Sequence, residues 1–167
     1  MSMIGYFLQV SEKELEEILL DSSLLEEKAF PEDDSFPTAL MDIDKAWEAI
    51  FFVLTGHSLA EIDEVNSPLS WLLMSDHVVD EDLDMGYGPA QYITPVEVKL
   101  LNSELAKVSN DNFKDRYDGR QLDEAGIYPE IWQEENAMDY AVDYFEQLKA
   151  FYALASEKGN AVITFIS

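Results

Sequence analysis

Two aspartates stand at alternate positions just before the most apolar run of the chain, in MDIDKAWEAIFFVLTG (residues 41–56). Carboxylates this close together could bind a cation or act as an acid and base pair, so Asp42 and Asp44 are candidate site residues. They also stand where a helix begins, and an aspartate there accepts hydrogen bonds from the first helical amides. Capping accounts for one of the two, and both interpretations stay open for the pair.

Aromatic side chains beside turns and helix starts are the second set of candidates. An indole or phenol in such a position can stay half-exposed and line a cleft, and clefts are where small molecules bind. The sequence therefore suggests a possible ligand pocket in which an aspartate is the polar group, with the residues Asp42, Asp44, Trp47, Tyr87, Tyr92 and Trp132. Aromatic rings in a core of this size are also common packing residues, and that interpretation stays open as well.

Familiar catalytic and cofactor motifs are missing from the sequence. It has no nucleophile elbow, no phosphate-binding glycine loop and no cysteine, and its two histidines, His57 and His77, are not spaced as zinc ligands. Asp80, Asp82 and Asp84 match the first ligand positions of an EF-hand calcium loop, but the glycine and the glutamate that the loop requires are absent. We therefore predict no catalytic residue, no metal site and no cofactor, and we favour a protein that is not an enzyme.

The charge of the chain is extreme, because 35 acidic residues against 10 basic ones give a net charge of −25. Such a charge repels a phosphate backbone, so nucleic-acid binding is not expected. Residues 1–90 contain 21 acidic and 3 basic residues, whereas residues 91–167 contain 14 and 7. If the chain has a basic protein partner, the N-terminal half is the better surface for it. The alternative is that the acidic residues only keep the protein in solution.

The sequence also predicts where in the cell the protein is found. No apolar run reaches the length of a membrane-spanning helix, and the N-terminal residues lack the basic start and cleavage site of a signal peptide. The lack of cysteine fits a reducing compartment. We expect a cytoplasmic protein that does not bind membranes.

The elements that position these candidates follow from apolar periodicity and capping signals. Apolar runs at about residues 3–10 and 161–166 are typical of buried strands, and residues 90–93 of a third, short strand. Helix starts are predicted at Ser11, at the two aspartates, at Ser67 and at Thr94, two short helices over residues 110–126, and a long helix over about residues 135–157. Residues 21–40 are predicted as a loop with at most one helical turn. The expected fold class is α+β: a single helix-rich domain over residues 1–167, around a small mixed sheet that includes both terminal strands.

Five phrases of the sequence, MIGYF, MDIDKAWEAIFFVLTG, PLSWLL, YGPAQYITPVEV and AGIYPEIW, resemble in order and spacing the YfbM-like family of small bacterial proteins. The resemblance covers essentially the whole chain and implies a single-domain, cytoplasmic α+β protein. It implies no catalytic residues, since no function is established for the family. The family has a histidine in the middle of the helix that ends in LTG, where this chain has Phe51 or Phe52. That departure weakens any catalytic role for such a histidine.

Two functions are compatible with the sequence. The leading hypothesis is an acidic protein-interaction module that binds a basic partner through residues 1–90, as an inhibitor or an immunity-type protein would. The alternative is a small-molecule-binding protein or an enzyme, whose ligand is unknown and whose pocket is the aromatic set named above.

Overall fold

Strands from the two ends of the chain pair at the centre of the sheet. β1 (Gly5–Val10) lies antiparallel to β4 (Ala161–Ile166) over the full length of both strands. β2 (Leu40–Asp42) extends the sheet beyond β1, and β3 (Gln91–Ile93) extends it beyond β4. The strand order is therefore β2-β1-β4-β3. These elements come from a computed structural model, which describes residues 2–167.

The predicted α+β class is confirmed, but the sheet is antiparallel throughout rather than mixed. Each of the three neighbouring pairs of strands runs in opposite directions, and none has the crossover geometry that joins parallel neighbours. The terminal strands lie where the sequence predicts them. β2 was not predicted, because three residues at the edge of a sheet are too few to show an alternating pattern.

Residues 2–167 also form seven α-helices. None of them is both long and apolar enough to cross a membrane. Part of the predicted loop over residues 21–40 is a helix, Ser23–Ala29. The helices are α1 (Glu12–Leu20), α2 (Ser23–Ala29), α3 (Trp47–Thr55), α4 (Pro95–Ala106), α5 (Asn110–Arg116), α6 (Gly119–Glu124) and α7 (Ala137–Lys158). Short 3-10 helices lie at Asp44–Ala46, Leu59–Glu64 and Pro68–Leu72.

Apolar side chains cover both faces of the sheet. On one face, Phe7 and Val162 pack with side chains of α3, α4, α5 and α7, and we call this the bundle face. On the other, Leu8 and Ile163 pack with side chains of α1 and α2, and we call this the α1–α2 face. Because side chains alternate along a strand, the two central strands supply both cores at once. The result is three layers, with the sheet between a thick helical layer and a thin one.

Helix boundaries follow local signals in the sequence. Ser11 and Thr94 each form the predicted capping box at the start of α1 and α4. Gly56 and Gly159 adopt left-handed backbone conformations, with φ of 76° and 68°, and end α3 and α7. The predicted helix after Ser67 is a 3-10 helix rather than an α-helix, although the Ser67 side chain accepts a hydrogen bond from the Leu69 amide as expected.

We expect Thr94→Ala to lower the free energy of unfolding by about 1 kcal/mol, because the Thr94 hydroxyl accepts a hydrogen bond from the Glu97 amide at the start of α4. Urea denaturation followed by circular dichroism measures the change. Thr38→Ala, in an exposed turn, is the matched control and should change the free energy by less than about 0.5 kcal/mol. Equal effects of the two substitutions would contradict the capping role.

Candidate functional site

Asp42 and Asp44 lie in the turn between β2 and α3, and both are half-buried. Asp42 Oδ1 accepts a hydrogen bond from the Asp44 amide at 3.1 Å. Asp44 has a φ of 46°, which aspartate tolerates better than most residues, and its Oδ2 accepts a hydrogen bond from the Tyr140 hydroxyl at 2.8 Å. The Tyr140 oxygen in turn accepts one from the Lys45 amide at 3.1 Å. The prediction that one aspartate caps the helix is wrong, because α3 begins at Trp47 and no side chain caps it. Asp42 and a tyrosine of α7 instead accept hydrogen bonds from the amides of Asp44 and Lys45 in the turn ahead of the helix.

Three tyrosines lie near this turn. Burial raises the pKa of Tyr6, Tyr140 and Tyr144, and the negative charges of Asp42 and Asp44 raise the pKa of Tyr6 and Tyr144 further. At Tyr140 the hydrogen bond to Asp44 is the second cause of the higher pKa. These phenols stay protonated at neutral pH and can donate hydrogen bonds. Each aspartate keeps one carboxylate oxygen outside the bonds described above, so the turn can accept hydrogen bonds from a positively charged group.

Trp47 and Tyr87 line one cleft on the bundle face of the sheet. Its volume is about 120 Å³, and its lining, which is mainly apolar, also includes Phe7, Met74 and Thr164. Tyr87 is 46% exposed at the mouth, whereas Trp47 is buried. Trp47 and Tyr87 therefore share one cleft, whereas neither Asp42 nor Asp44 lines it.

The position of Trp47 is fixed from several sides. Its Nε1 donates a hydrogen bond to the Met3 carbonyl at 3.0 Å, and its ring stacks on Tyr128 with ring centroids 5.8 Å apart. The Tyr128 hydroxyl accepts a hydrogen bond from the Met3 amide at 2.9 Å. At Gly5, an added Cβ would lie only 3.0 Å from the Cβ of Trp47, so the lack of a side chain there lets the indole pack on β1. The indole that forms one wall of the cleft is therefore held by contacts with Met3, Gly5 and Tyr128.

The remaining two candidates lie elsewhere. Gln91 lines the cleft, and since neighbouring side chains of a strand point to opposite faces, Tyr92 packs on the α1–α2 face. Trp132 is 1% exposed in the core of the bundle, where its Nε1 donates a hydrogen bond to the Ile127 carbonyl at 3.0 Å. The six candidates thus form two separate pairs, the aspartate turn and the cleft, with Tyr92 and Trp132 outside both.

A polar group that the sequence does not predict lies around His77. Its Nε2 lies 3.1 Å from Glu97 Oε1, and its ring stacks on Tyr92 with centroids 4.9 Å apart. The same Glu97 oxygen accepts a hydrogen bond from the Thr94 amide at 2.9 Å as part of the capping box. Backbone pairing places the two segments side by side, since the Tyr92 amide donates to the His77 carbonyl at 3.0 Å. No rule on local spacing identifies a pair that tertiary structure brings together in this way.

A larger and more open hollow lies at the C-terminal end of α2. Its volume is about 580 Å³, and it is lined by Phe30, Pro31 and three glutamates, Glu26, Glu27 and Glu32. All three glutamates are exposed. The charge asymmetry of the sequence indicates this half of the chain, but it does not indicate the two apolar residues in the lining of the hollow.

Residues 2–167 contain no cluster of three or more histidine or acidic side chains arranged to hold a metal ion. In the segment that resembles an EF-hand, Asp80 accepts hydrogen bonds from the Ser22 hydroxyl and the Asp82 amide. Asp84 Oδ1 accepts hydrogen bonds from the backbone amides of Gly86 and Gly88 in the turn that follows it. These carboxylates therefore bind neighbouring groups of the chain.

A family model described as "Domain of unknown function (DUF1877)" matches residues 1–165. The chain belongs to this family. Protein YfbM of Escherichia coli (strain K12) is 26% identical over 176 residues, an alignment that covers 99% of each chain. The crystal structure of YfbM from Escherichia coli, described as a protein of unknown function, matches with a TM-score of 0.71 at 22% identity and covers 98% of this chain and 99% of that one. The predicted YfbM-like resemblance is confirmed.

We expect Tyr140→Phe to lower the free energy of unfolding by about 1 to 3 kcal/mol, because it leaves Asp44 Oδ2 and the Lys45 amide without their hydrogen-bond partner. Tyr144→Phe is the matched control. Its ring packs edge-on against Tyr140 with centroids 5.1 Å apart, and its hydroxyl takes no part in these two bonds. Chemical denaturation of both variants measures the difference, and similar losses would rule out the Tyr140 bridge.

Alkaline pH should destabilise the protein through Tyr117, which donates a hydrogen bond to the Trp132 carbonyl at 2.7 Å. Burial, assisted by the charge of Asp123, raises the pKa of Tyr117 from 10.0 to about 12. Between pH 10 and pH 12 the unfolded chain therefore loses this proton while the native protein keeps it, and stability falls by at most about 1.4 kcal/mol per pH unit for this group.

The test is the slope of unfolding free energy against pH in that window, which Tyr117→Phe should reduce. Phe113→Leu is the control, because it lowers stability without removing a titrating group. It should shift the curve downward and leave the slope unchanged. An unaltered slope in Tyr117→Phe would contradict the assignment.

Proposed function

We propose that this protein is an acidic interaction module that binds a basic protein partner through its α1–α2 layer. The observation that supports this most strongly is the hollow at the end of α2, where Phe30 and Pro31 lie among three exposed glutamates. A lysine or arginine side chain is suited to such a surface. Its aliphatic stem and charge can lie on an aromatic ring while the charged end meets carboxylates.

The same layer exposes apolar side chains. Between residues 19 and 36, the large apolar residues with the greatest exposure are Leu20 at 90% and Phe36 at 59%, followed by Phe30 at 46% and Leu19 at 41%. Exposed apolar surface surrounded by polar residues is typical of protein interaction sites, and Phe30 beside the glutamates of the hollow has this arrangement. The combination with carboxylates favours a partner segment that is both basic and apolar.

Few positive charges of the chain itself neutralise this surface. Lys13 and Lys28 are its basic residues between positions 12 and 36, and Lys28 already pairs with Glu14 at 2.9 Å. Tyr6 connects the acidic surface to the aspartate turn. The Phe30 ring contacts Tyr6 edge-on with centroids 5.6 Å apart, and Tyr6 pairs with Asp42 across the sheet. A second basic residue of the partner could bind there.

An inhibitor or immunity-type role fits these properties, since a strong negative field speeds the capture of a basic protein at low ionic strength. A cytoplasmic location is part of the same proposal. The alternative function, binding of a small molecule, is supported by a different feature, the cleft beside Trp47 and Tyr87.

The test compares two triple charge reversals. Glu26→Lys, Glu27→Lys and Glu32→Lys alter the hollow, and the control changes the same total charge on exposed positions of α7 with Asp143→Lys, Glu146→Lys and Glu157→Lys. Proteins captured by the unaltered chain from a lysate of its own organism are identified, and each complex is then rebuilt from purified components at low and high salt.

We expect a basic partner whose affinity falls with salt and about a hundredfold with the hollow variant, which corresponds to about 1 kcal/mol per reversed charge. The control variant should lose much less. Affinity that is insensitive to salt, or that falls equally in both variants, would exclude the α1–α2 layer as the binding surface.

A further inference from the structure

We infer that the cleft on the bundle face is a binding site for a small neutral compound, about the size of one ring, that carries a single carbonyl or hydroxyl oxygen. The cleft lies on the opposite side of the sheet from the α1–α2 layer, and the inference does not depend on the proposed protein partner. It rests on the size of the cleft, on its uncharged lining, on the Thr164 hydroxyl in that lining and on a buried tyrosine hydroxyl behind it.

The size and the lining define the class of compound. About 120 Å³ of space is available, and rings of benzene size enter apolar cavities of about 150 Å³ in proteins. Phe7 and Trp47 supply aromatic surface, and Leu73 and Met74 supply aliphatic surface. No lysine, arginine, histidine or acidic residue is among the lining residues. A neutral compound therefore fits better than an ion, and an anion is disfavoured further by the net charge of −25.

Thr164 provides the polar group at the floor. It is the half-buried member of β4 that lies between Phe7 of β1 and Gln91 of β3 in the sheet, and it lines the cleft. The side-chain oxygen of Gln91 is already occupied, because it accepts a hydrogen bond from the Ser75 amide. A ligand oxygen needs a donor, and both the Gln91 amide nitrogen and the Thr164 hydroxyl can supply one. We assign the role to Thr164, because its oxygen can at the same time accept a hydrogen bond from a second hydroxyl.

Behind Thr164 lies a buried hydroxyl without a partner. Tyr152 on α7 is 0% exposed, and within the described part of the chain its hydroxyl makes no hydrogen bond. Burial raises the pKa of Tyr152, and hydrogen bonding with the Thr164 side chain lowers it in part, although the geometry of the two hydroxyls falls short of a full hydrogen bond. Unpaired buried polar groups are uncommon in folded proteins and call for a reason.

An oxygen of a ligand bound in the cleft would explain why the Tyr152 hydroxyl is unpaired in the free protein. When the Thr164 hydroxyl donates its hydrogen to the ligand, its own oxygen is left as an acceptor turned towards the Tyr152 hydroxyl. A small adjustment then completes a chain of donors from Tyr152 through Thr164 to the ligand, and such chains strengthen each of their bonds. The site would therefore prefer a ligand with an acceptor oxygen over one of the same shape without it.

The experiment uses acetophenone, benzyl alcohol and cyclohexanone as probes, and ethylbenzene as the reference that matches acetophenone but lacks the oxygen. Binding is followed by NMR of the full chain labelled at the methionine methyl groups. Met74 lines the cleft, whereas Met85 is buried in the core of the α1–α2 face and serves as the internal control.

We expect at least one oxygen-bearing probe to shift the Met74 signal in a saturable manner while Met85 stays unchanged. Acetophenone should bind about tenfold more tightly than ethylbenzene, as one added hydrogen bond predicts. Thr164→Val, which keeps the shape, should remove that preference and leave ethylbenzene binding unchanged. Thr38→Val, at an exposed turn, controls for the substitution itself.

The variant Tyr152→Phe tests whether the Tyr152 hydroxyl contributes to ligand binding or only to the stability of the free protein. Because the Tyr152 hydroxyl is unpaired in the free protein, its removal should not lower the melting temperature, yet it should weaken acetophenone binding by about threefold. The proposal is overturned if none of the three probes shifts Met74 saturably, if Thr164→Val leaves the preference intact, or if the Met74 signal changes with protein concentration alone, which would mean that a second copy of the chain fills the cleft.

Discussion

The antiparallel pairing of β1 with β4 is the constraint on which the other layers depend. Both strands are buried on their two faces, so each face needs its own cover of helices. The helices adjacent to these strands in sequence supply opposite covers, since α1 follows β1 and packs on one face, while α7 precedes β4 and packs on the other. Placing two neighbouring strands therefore determines where the longest helix and the first helix lie.

Local signals made much of this fold predictable. The apolar runs of β1 and β4, the capping boxes at Ser11 and Thr94, and the glycine at the end of α7 each act within a few residues. The antiparallel direction of the sheet, the short strand β2 and helix α2 were not predictable in this way. They depend on contacts between distant segments, and such contacts leave no periodic mark in a single sequence.

The candidate site shows the same contrast between features that local spacing predicts and features that depend on distant contacts. The closeness of Asp42 and Asp44 follows from their spacing, whereas their tyrosine partner comes from 96 residues further along the chain. Trp47 and Tyr92 were expected to face one pocket, but strand alternation and the sheet itself separate them. Most polar side chains at turns bond to the backbone. The two surfaces that we propose as binding sites differ in their charge and in how open they are. One is acidic and wide open on the α1–α2 layer, and the other is an uncharged, narrower cleft on the bundle face.

The residues that pair between β1 and β4 are more than 150 positions apart in sequence. During synthesis, β1 therefore cannot pair with β4 until the residues from Ala161 onward have been added to the chain. Until then β1 has an unpaired edge with apolar side chains on both sides, which is the kind of segment that associates with other chains. α1 follows β1 directly in the chain and packs on one of its faces, so it is the nearest element that can cover one side of that strand.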